Sequence, residues 1–555
     1  MSAPCGSVVP FGPRDAKIAI VLDAPCANDI WASRILSGAH GDSFFQMMQQ
    51  AGMFKSACYF TSLFKYRILG DNFERYATDV KTKAAEHKLH HVVDGLYCNE
   101  QMMQTRRALH QEILKLNPTV VVVLGPYAMW ALTGEFGSIH TWRGSHLQCS
   151  FLPETTVIPT FDPYTLARQY DQRQYCIRDL LRANCVAKQP HLYREPRYDF
   201  TIAPSYSQVM GYLEESLREA EEQEELWISC DIETIARYTS CVGLGKNVRE
   251  AICIPFMDIN GHYWSEEEEF TIQLRMQELL THPNVRVIGQ NFNYDAQHFA
   301  KELGYLPNLA FDTMLGYHAL FPGLSKDLSM LSSLFCHWHR YWKDENKDYA
   351  RLPANMPQYW RYNCKDVVIT YEASLGIREL LAHFGKEKQS ADLHRFGQAA
   401  LRSMLRGVRI DTTLRSHVAG QLVTAITEYQ ELINKIAGEP LNTRSTPQMH
   451  KLFYGEFDLP VQLDRKTRRP TLGDDALTAL MKIEPILKPF IELIAMHRKL
   501  ASFLKNYCMM PLSSDGRMRC SYNVAGTETY RFSSSQDAFG TGGNLQNLST
   551  GTEDD

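Results

Sequence analysis

Trp227-Ile228-Ser229-Cys230-Asp231-Ile232-Glu233-Thr234 decides how the middle of this chain is read. The stretch is apolar enough for a strand, and on an extended strand residues two apart point to the same face. Asp231 and Glu233 therefore converge on one spot, a hard-oxygen arrangement suited to a divalent cation. Alone the pattern is weak, because a DxE on a strand is commonly no more than an exposed edge.

Two further segments strengthen it. Gly289-Gln290-Asn291-Phe292-Asn293-Tyr294-Asp295 follows the apolar strand Val285 to Ile288, which places Asp295 at a strand-to-helix junction facing the same cleft. Tyr362-Asn363-Cys364-Lys365-Asp366 opens a helical pattern, and its i, i+4 spacing puts Tyr362 and Asp366 on one face. Hydrolysis of a phosphodiester by two metals requires such a set: carboxylates holding two cations about 3.5 to 4 Å apart, one activating water and one stabilising the leaving oxygen. The phenol then orients the water.

Around this core the chain is long, at 555 residues, enough for about three to four domains. A formal charge of -5, with 44% hydrophobic and 22% charged residues, is ordinary globular composition, so any nucleic-acid surface must be local. The 14 cysteines include no CxxC pair, which argues against a zinc ribbon and for a reducing compartment. The longest apolar runs, Thr119 to Leu124 and Phe490 to Met496, are far short of a membrane span, and Met1 to Pro13 does not look like a secretory leader. A soluble, cytoplasmic protein with no membrane partner is expected.

The chain reads as three parts of an α/β multi-domain protein. Residues 1–190 carry continuous β-branched strands, Lys17 to Leu22 and Thr119 to Leu124, of the kind that helices cover on both faces. Pro, Arg and His between Gln189 and Tyr198 mark a linker, with a boundary near residue 195. Residues 195–390 hold the acidic set and an acidic helical stretch, Leu213 to Glu225, read as a solvated face, as is Glu266 to Glu269. Residues 391–555 are mainly helical, with Leu401, Met404, Leu405 and Val408 on one face, before short Gly/Ser-rich segments from Met510 onward.

In order and spacing, DxE, NxxxD and YxxxD resemble the DEDDy 3′–5′ exonuclease domain of family A, bacterial-type DNA polymerases, over residues 200–385. Phe311-Asp312-Thr313-Met314 and Asp327-Leu328-Ser329-Met330-Leu331 are similar to its intervening segments. The resemblance implies an RNase H-like domain and two divalent cations, Mg2+ or Mn2+. Asp231 would bridge both metals, Glu233 and Asp366 would complete the water-side metal, Asp295 would support the second, and Tyr362 would position the nucleophile.

Gly407-Val408-Arg409-Ile410-Asp411 and Leu441 to Met449 resemble segments that open the polymerase region of the same family. Met496 to Tyr507 looks like its thumb helix, with Arg498, Lys499 and Lys505 suited to phosphate contact. Arg519 to Asn523, Thr529-Tyr530-Arg531-Phe532-Ser533-Ser534 and Asn544-Leu545-Gln546-Asn547 resemble the family's motif of TGR followed by SS and NLQN, which implies primer-template contacts by Arg531, Gln546 and Asn547. Tyr530 stands where that family usually has Gly. The family's palm carboxylates and fingers helix lie beyond Asp555. The expectation is therefore thumb and first palm strands in this chain, with palm and fingers on a second polypeptide. A processivity factor is a further candidate partner.

Asp23-Ala24-Pro25-Cys26-Ala27-Asn28-Asp29, Cys58 to Lys65, Trp142-Arg143-Gly144-Ser145 and Thr160-Phe161-Asp162-Pro163 resemble the uracil-DNA glycosylase superfamily, nearest its iron-sulphur type. This implies an α/β sandwich. Asp162 stands where the family usually places His, and a carboxylate repels a departing uracil anion. Cys5 and Cys98 echo cluster ligands without the expected paired cysteines, so no iron-sulphur cluster is expected. Asp23, Pro25, Asn28 and Asp162 are accordingly read as a degenerate pocket. The resulting expectation is the proofreading-exonuclease part of a bacteriophage-type family A polymerase, working on DNA in the host cytoplasm. A stand-alone repair exonuclease and a non-catalytic DNA-binding scaffold are the alternatives.

Overall fold

Five short strands open the molecule: β1 (Ile18–Leu22), β2 (Cys58–Ser62), β3 (Val120–Leu124), β4 (Leu147–Cys149) and β5 (Leu152–Thr160). They form one sheet in the order β2-β1-β3-β5-β4, parallel except at the antiparallel edge strand β4. This computed structural model describes residues 6–68, 70, 72–346, 355–465 and 467–547. Every residue of β1 and β3 is buried, because the sheet has a core on each face. Ile18, Ile20, Val120 and Val122 face one core, and Ala19, Val21, Val121 and Val123 the other. Helix α1 (Pro126–Thr133) follows β3 directly, and α2 (Arg173–Lys188) closes the layer.

A second sheet contains β6 (Asp199–Thr201), β7 (Leu226–Ile235), β8 (Tyr238–Gly245), β9 (Glu250–Pro255), β10 (Val285–Gly289) and β11 (Leu309–Asp312). Its order is β11-β10-β7-β8-β9-β6, with an antiparallel meander β7-β8-β9 and parallel pairs elsewhere. Helix α3 (Tyr206–Glu222) begins well before the acidic stretch read from sequence, because Ser205 and Gln208 form a capping box that starts it. Helices α4 (Leu328–Phe335) and α5 (Met356–His383) follow. Helix α5 also starts earlier than the Tyr362 expected from spacing; Asn355 caps it and Pro357 occupies its first turn.

These two sheets belong to one compact unit, Met1–Asp295 with Tyr305–His394. Within it the two layers meet at a fully buried ion pair. Arg143 donates through Nε to Asp179 Oδ2 at 3.0 Å and through a terminal nitrogen to Asp179 Oδ1. Thr160 donates to the same carboxylate at 2.8 Å, and Arg143 also donates to Ser333 Oγ of α4 at 2.7 Å.

The second unit is Ala296–Gly304 with Arg395–Asp555. Helix α6 (Thr412–Ala437) is capped by Asp411, whose Oδ1 accepts from the Thr413 and Leu414 amides at 3.0 Å. Ile433, Phe453, Leu480, Phe490 and Ile494 make a core in which α6 packs with α7 (Lys488–Phe503). Two short antiparallel ladders pair Val408–Arg409 with Arg517–Met518 and Ser521–Asn523 with Ser533–Ser535. Among the described residues no helix is long and apolar enough to cross a membrane.

The buried pair yields the first prediction. Asp179→Ala strands the Arg143 guanidinium without its counter-charge and lowers stability by about 3–5 kcal/mol, measured by denaturant unfolding of the full chain. A loss under about 1 kcal/mol would mean that the pair carries little of the packing between the layers.

Candidate metal centre and the glycosylase-like recess

The alternation of β7 places Asp231 and Glu233 on one face of the sheet, opposite strand β8, where Asp231 pairs in register with Gly243. The missing side chain at Gly243 matters for α5. A Cβ there would lie 2.3 Å from Asn363 Oδ1 and 2.7 Å from Val367 Cγ2. Helix α5 therefore sits close enough for Asn363 Nδ2 to donate to Asp231 Oδ2 at 3.0 Å, and one turn of α5 brings Asp366 beside the pair. Carboxylate oxygens of Asp231, Glu233 and Asp366 lie within 4.8 Å of one another.

Asp295 stands apart from that trio. Its Oδ1 accepts from the Ile232 amide at 3.0 Å, so the carboxylate reaches β7 between Asp231 and Glu233 through a backbone contact. The turn that delivers it is held by Asp312, which accepts from the Asn291 amide at 3.1 Å and the Phe292 amide at 2.8 Å. At Gly289 a Cβ would meet the Phe292 ring at 2.3 Å, so this turn folds back over its own strand only with glycine at that position.

Burial pushes Asp231, Glu233 and Asp295 above the usual carboxylate range, and their mutual repulsion adds to it. Among the described residues, Lys343 answers them. Lys343 Nζ donates to Tyr362 Oη at 2.8 Å and pairs with Asp366, while Trp342 Nε1 donates to the other Asp366 oxygen at 2.6 Å. Burial pulls the Lys343 ammonium down, but Asp366, Asp231 and Glu233 together outweigh it and hold it above its ordinary value. The ammonium thus pairs with one carboxylate and lies in the field of the other two, and an all-oxygen donor set of this kind suits a hard divalent cation such as Mg2+ or Mn2+. Lys343 and Trp342 were absent from the sequence reading. They lie in a segment without periodicity and far from the DxE pair in the chain, so no local signal marks them.

In the second unit the expected DNA contacts divide. Lys499 and Lys505 are exposed, and Lys499 borders a groove of about 1250 Å³ with Arg444, Arg498, Ser502, Asn506 and Tyr507. The Arg498 guanidinium is already engaged: Nε donates to the Thr443 carbonyl and Nη1 to the Leu472 carbonyl, both at 2.7 Å. Two of its donors are thus bound to carbonyls of neighbouring segments, while the side chain also borders the groove. The Arg531 side chain is exposed, and Gln546 Nε2 donates to the Phe532 carbonyl at 2.8 Å. The Asn547 side chain and Asp555 lie outside the described residues. Tyr530 has φ +61°, the left-handed region that a glycine occupies without cost.

In the N-terminal layer Asp23 Oδ1 accepts from the Ala128 amide at 2.6 Å, at the start of α1. Burial pushes its carboxyl up to about 8, against the pull of that backbone contact, and the Asp162 charge raises it further. Asp162 caps the short helix Pro163–Arg168, accepting from the Tyr164 and Thr165 amides at 2.9 and 3.0 Å. A carboxylate at this position thus has a structural reason. Pro25 is buried and Asn28 exposed. The sequence reading passed over Asp29, which is fully buried, accepts from the Cys26 and Ser37 amides and the Tyr164 hydroxyl, and ties the Asp23 loop to the Asp162 helix. Cys98 is packed in the core with Ala77 and Leu96, and Cys5 lies outside the described residues.

Comparison with known proteins agrees with both ends of the chain. Residues 9–183 match the uracil DNA glycosylase superfamily, and residues 413–555 match DNA polymerase family A. The chain thus carries a glycosylase-superfamily domain at its N-terminal end and a family A polymerase region at its C-terminal end. Over 148 residues it is 32% identical to the thermostable DNA polymerase I of Thermus thermophilus, covering 26% of this chain and 16% of that protein. Over 142 residues it is 27% identical to DNA polymerase I of Bacillus subtilis, covering 26% and 15%. The chain therefore spans about a sixth of the length of the curated relatives it matches. Among solved structures, the POL domain of Pol1 from M. smegmatis in complex with DNA primer-template and dNTP is similar at a TM-score of 0.46 and 18% identity, over 64% of this chain and 56% of that one.

The Asp23 environment sets a pH dependence. The folded state keeps a proton on Asp23 that the unfolded chain releases above about pH 4, so this residue's contribution to stability falls as pH rises towards about 8. Asp23→Asn keeps the acceptor oxygen without the charge. Its melting temperature should exceed wild type by a margin that widens from about pH 5 to about pH 8 and then levels off. A margin independent of pH would contradict the assignment of the buried proton to Asp23.

Proposed function

We propose that the acidic centre on β7 and α5 is a metal-dependent 3′–5′ DNA exonuclease site, joined in one chain to a family A polymerase region that it serves by trimming the 3′ end. The observation that carries this reading is the convergence of Asp231, Glu233 and Asp366 within 4.8 Å, with a phenol and an ammonium beside them. Two divalent cations held by Asp231, Glu233 and Asp366, with Asp295 adjoining, would supply charge stabilisation and an activated water.

The chain's own side chains do the positioning. Asn363 fixes one oxygen of Asp231 and Trp342 one oxygen of Asp366, so the carboxylates keep their orientation despite their repulsion. The Tyr362 hydroxyl receives a hydrogen bond from Lys343, which holds the phenol in place to orient the attacking water. Water adds to the terminal phosphorus, the bond to the preceding 3′ oxygen breaks, and that oxygen takes up a proton. A 5′-mononucleotide and a strand shorter by one residue result. The N-terminal domain is read as a degenerate glycosylase fold: Asp162 stands where that superfamily usually has His, and its carboxylate is spent on capping a helix rather than on donating to a departing anion.

The test is degradation of a 5′-labelled single strand in Mg2+. Asp231→Ala should lose at least about 10³-fold in rate, and Tyr362→Phe about 10²-fold with strand binding unchanged. Cleavage by Asp231→Ala at the wild-type rate would overturn the assignment of the site.

A further inference from the structure

The residues that reach the acidic centre, Trp342 and Lys343, end a segment that the N-terminal domain grips along its length. Arg182 of α2 donates to the Ser333 carbonyl at 2.7 Å and the Cys336 carbonyl at 3.2 Å, at the end of α4. The His146 amide then donates to the His339 carbonyl at 2.7 Å, and the Tyr341 amide donates to Ser145 Oγ at 3.1 Å. Arg340 pairs with Glu135 at 2.9 Å, and the Tyr341 ring meets Trp142 edge-on with centroids 5.4 Å apart. Residues 336–341 thus lie along the rim of the glycosylase-like domain. The next two residues turn away from it into the acidic centre, where Trp342 is fully buried.

We propose that the glycosylase-like domain positions the strap Cys336–Lys343 through Ser145 and His146, and thereby governs how readily a divalent cation takes the place of the Lys343 ammonium beside Asp366. The proposal rests on the nuclease reading of the site. Lys343 and an incoming cation compete for the same oxygen charge. A strap anchored at both ends resists moving its terminal lysine aside, whereas a slack strap releases it. Ser145 and His146 are therefore positioning residues that act through the strap. This assigns the glycosylase-like domain a mechanical task that needs no base excision.

Mn2+ binding to the full-length protein, read from the free-ion electron paramagnetic resonance signal, tests this without activity. Lys343→Met should tighten Mn2+ binding about tenfold by removing the competing charge. Ser145→Ala should tighten it about two- to fivefold, and the double variant should match Lys343→Met alone. Glu135→Ala, at a half-exposed ion pair, is a second way to slacken the strap with no buried group removed, and should act in the same direction. An unchanged affinity in both Ser145→Ala and Glu135→Ala overturns the proposal, as does a Ser145→Ala effect that persists in the Lys343→Met background. Absence of Mn2+ binding by the wild type, or binding unaffected by Asp231→Asn, overturns the nuclease reading itself and this proposal with it.

Discussion

Mutual repulsion among three crowded carboxylates, one buried and two partly buried, is the constraint to which the central domain is built. Asp231, Glu233 and Asp366 crowd within 4.8 Å, an arrangement that disfavours the charged state of each unless positive charge lies close by. The surrounding structure acts on that demand at several points. Gly243 gives up its side chain so that α5 can approach, Asn363 and Trp342 donate to the carboxylates, and Lys343 contributes charge. These residues come from three segments, strand β8, helix α5 and the strap, so the centre exists only when sheet, helix and strap are all in place.

The same logic explains how the N-terminal domain is attached. A fully buried Arg143–Asp179 pair is weak evidence for stability taken alone, since two desolvated charges repay little. Its value here is directional. Arg143 donates both to Asp179, which also accepts from Thr160, and to Ser333 of α4, so it ties α4 to the first sheet in the docking that lays the following strap along the rim of the domain. In the same domain Asp162 caps a helix and Asp29 ties two loops together, so both carboxylates serve the packing of the layer.

Much of this was legible in the sequence for physical reasons. The period of two along β7 placed Asp231 and Glu233 on one face, the period of 3.6 along α5 placed Tyr362 with Asp366, and the β-branched runs of β1 and β3 announced strands covered on both sides. What escaped depends on contacts distant in sequence. Lys343 lies 23 positions before Asp366, in a stretch with neither periodicity, and nothing local marks it as a partner. Gly243 looks like any strand glycine until α5 is docked on it. Arg498 shows the same dependence: its spacing on the helix gives no sign that two backbone carbonyls distant in sequence accept from its guanidinium. The starts of α3 and α5 were misjudged because caps at Ser205 and Asn355 extend helices past the point where apolar spacing becomes clear.

The central claim is that these carboxylates hold two catalytic cations. It is tested most directly by crystals of the protein grown with Mn2+ and a deoxynucleoside 5′-monophosphate, with data collected at the manganese edge. The account predicts two anomalous peaks about 4 Å apart, with Asp231 bridging them, Lys343 displaced from Asp366, and the nucleotide phosphate between the metals and Tyr362. Crystals that bind the nucleotide but show no manganese at Asp231, Glu233 and Asp366 would contradict it.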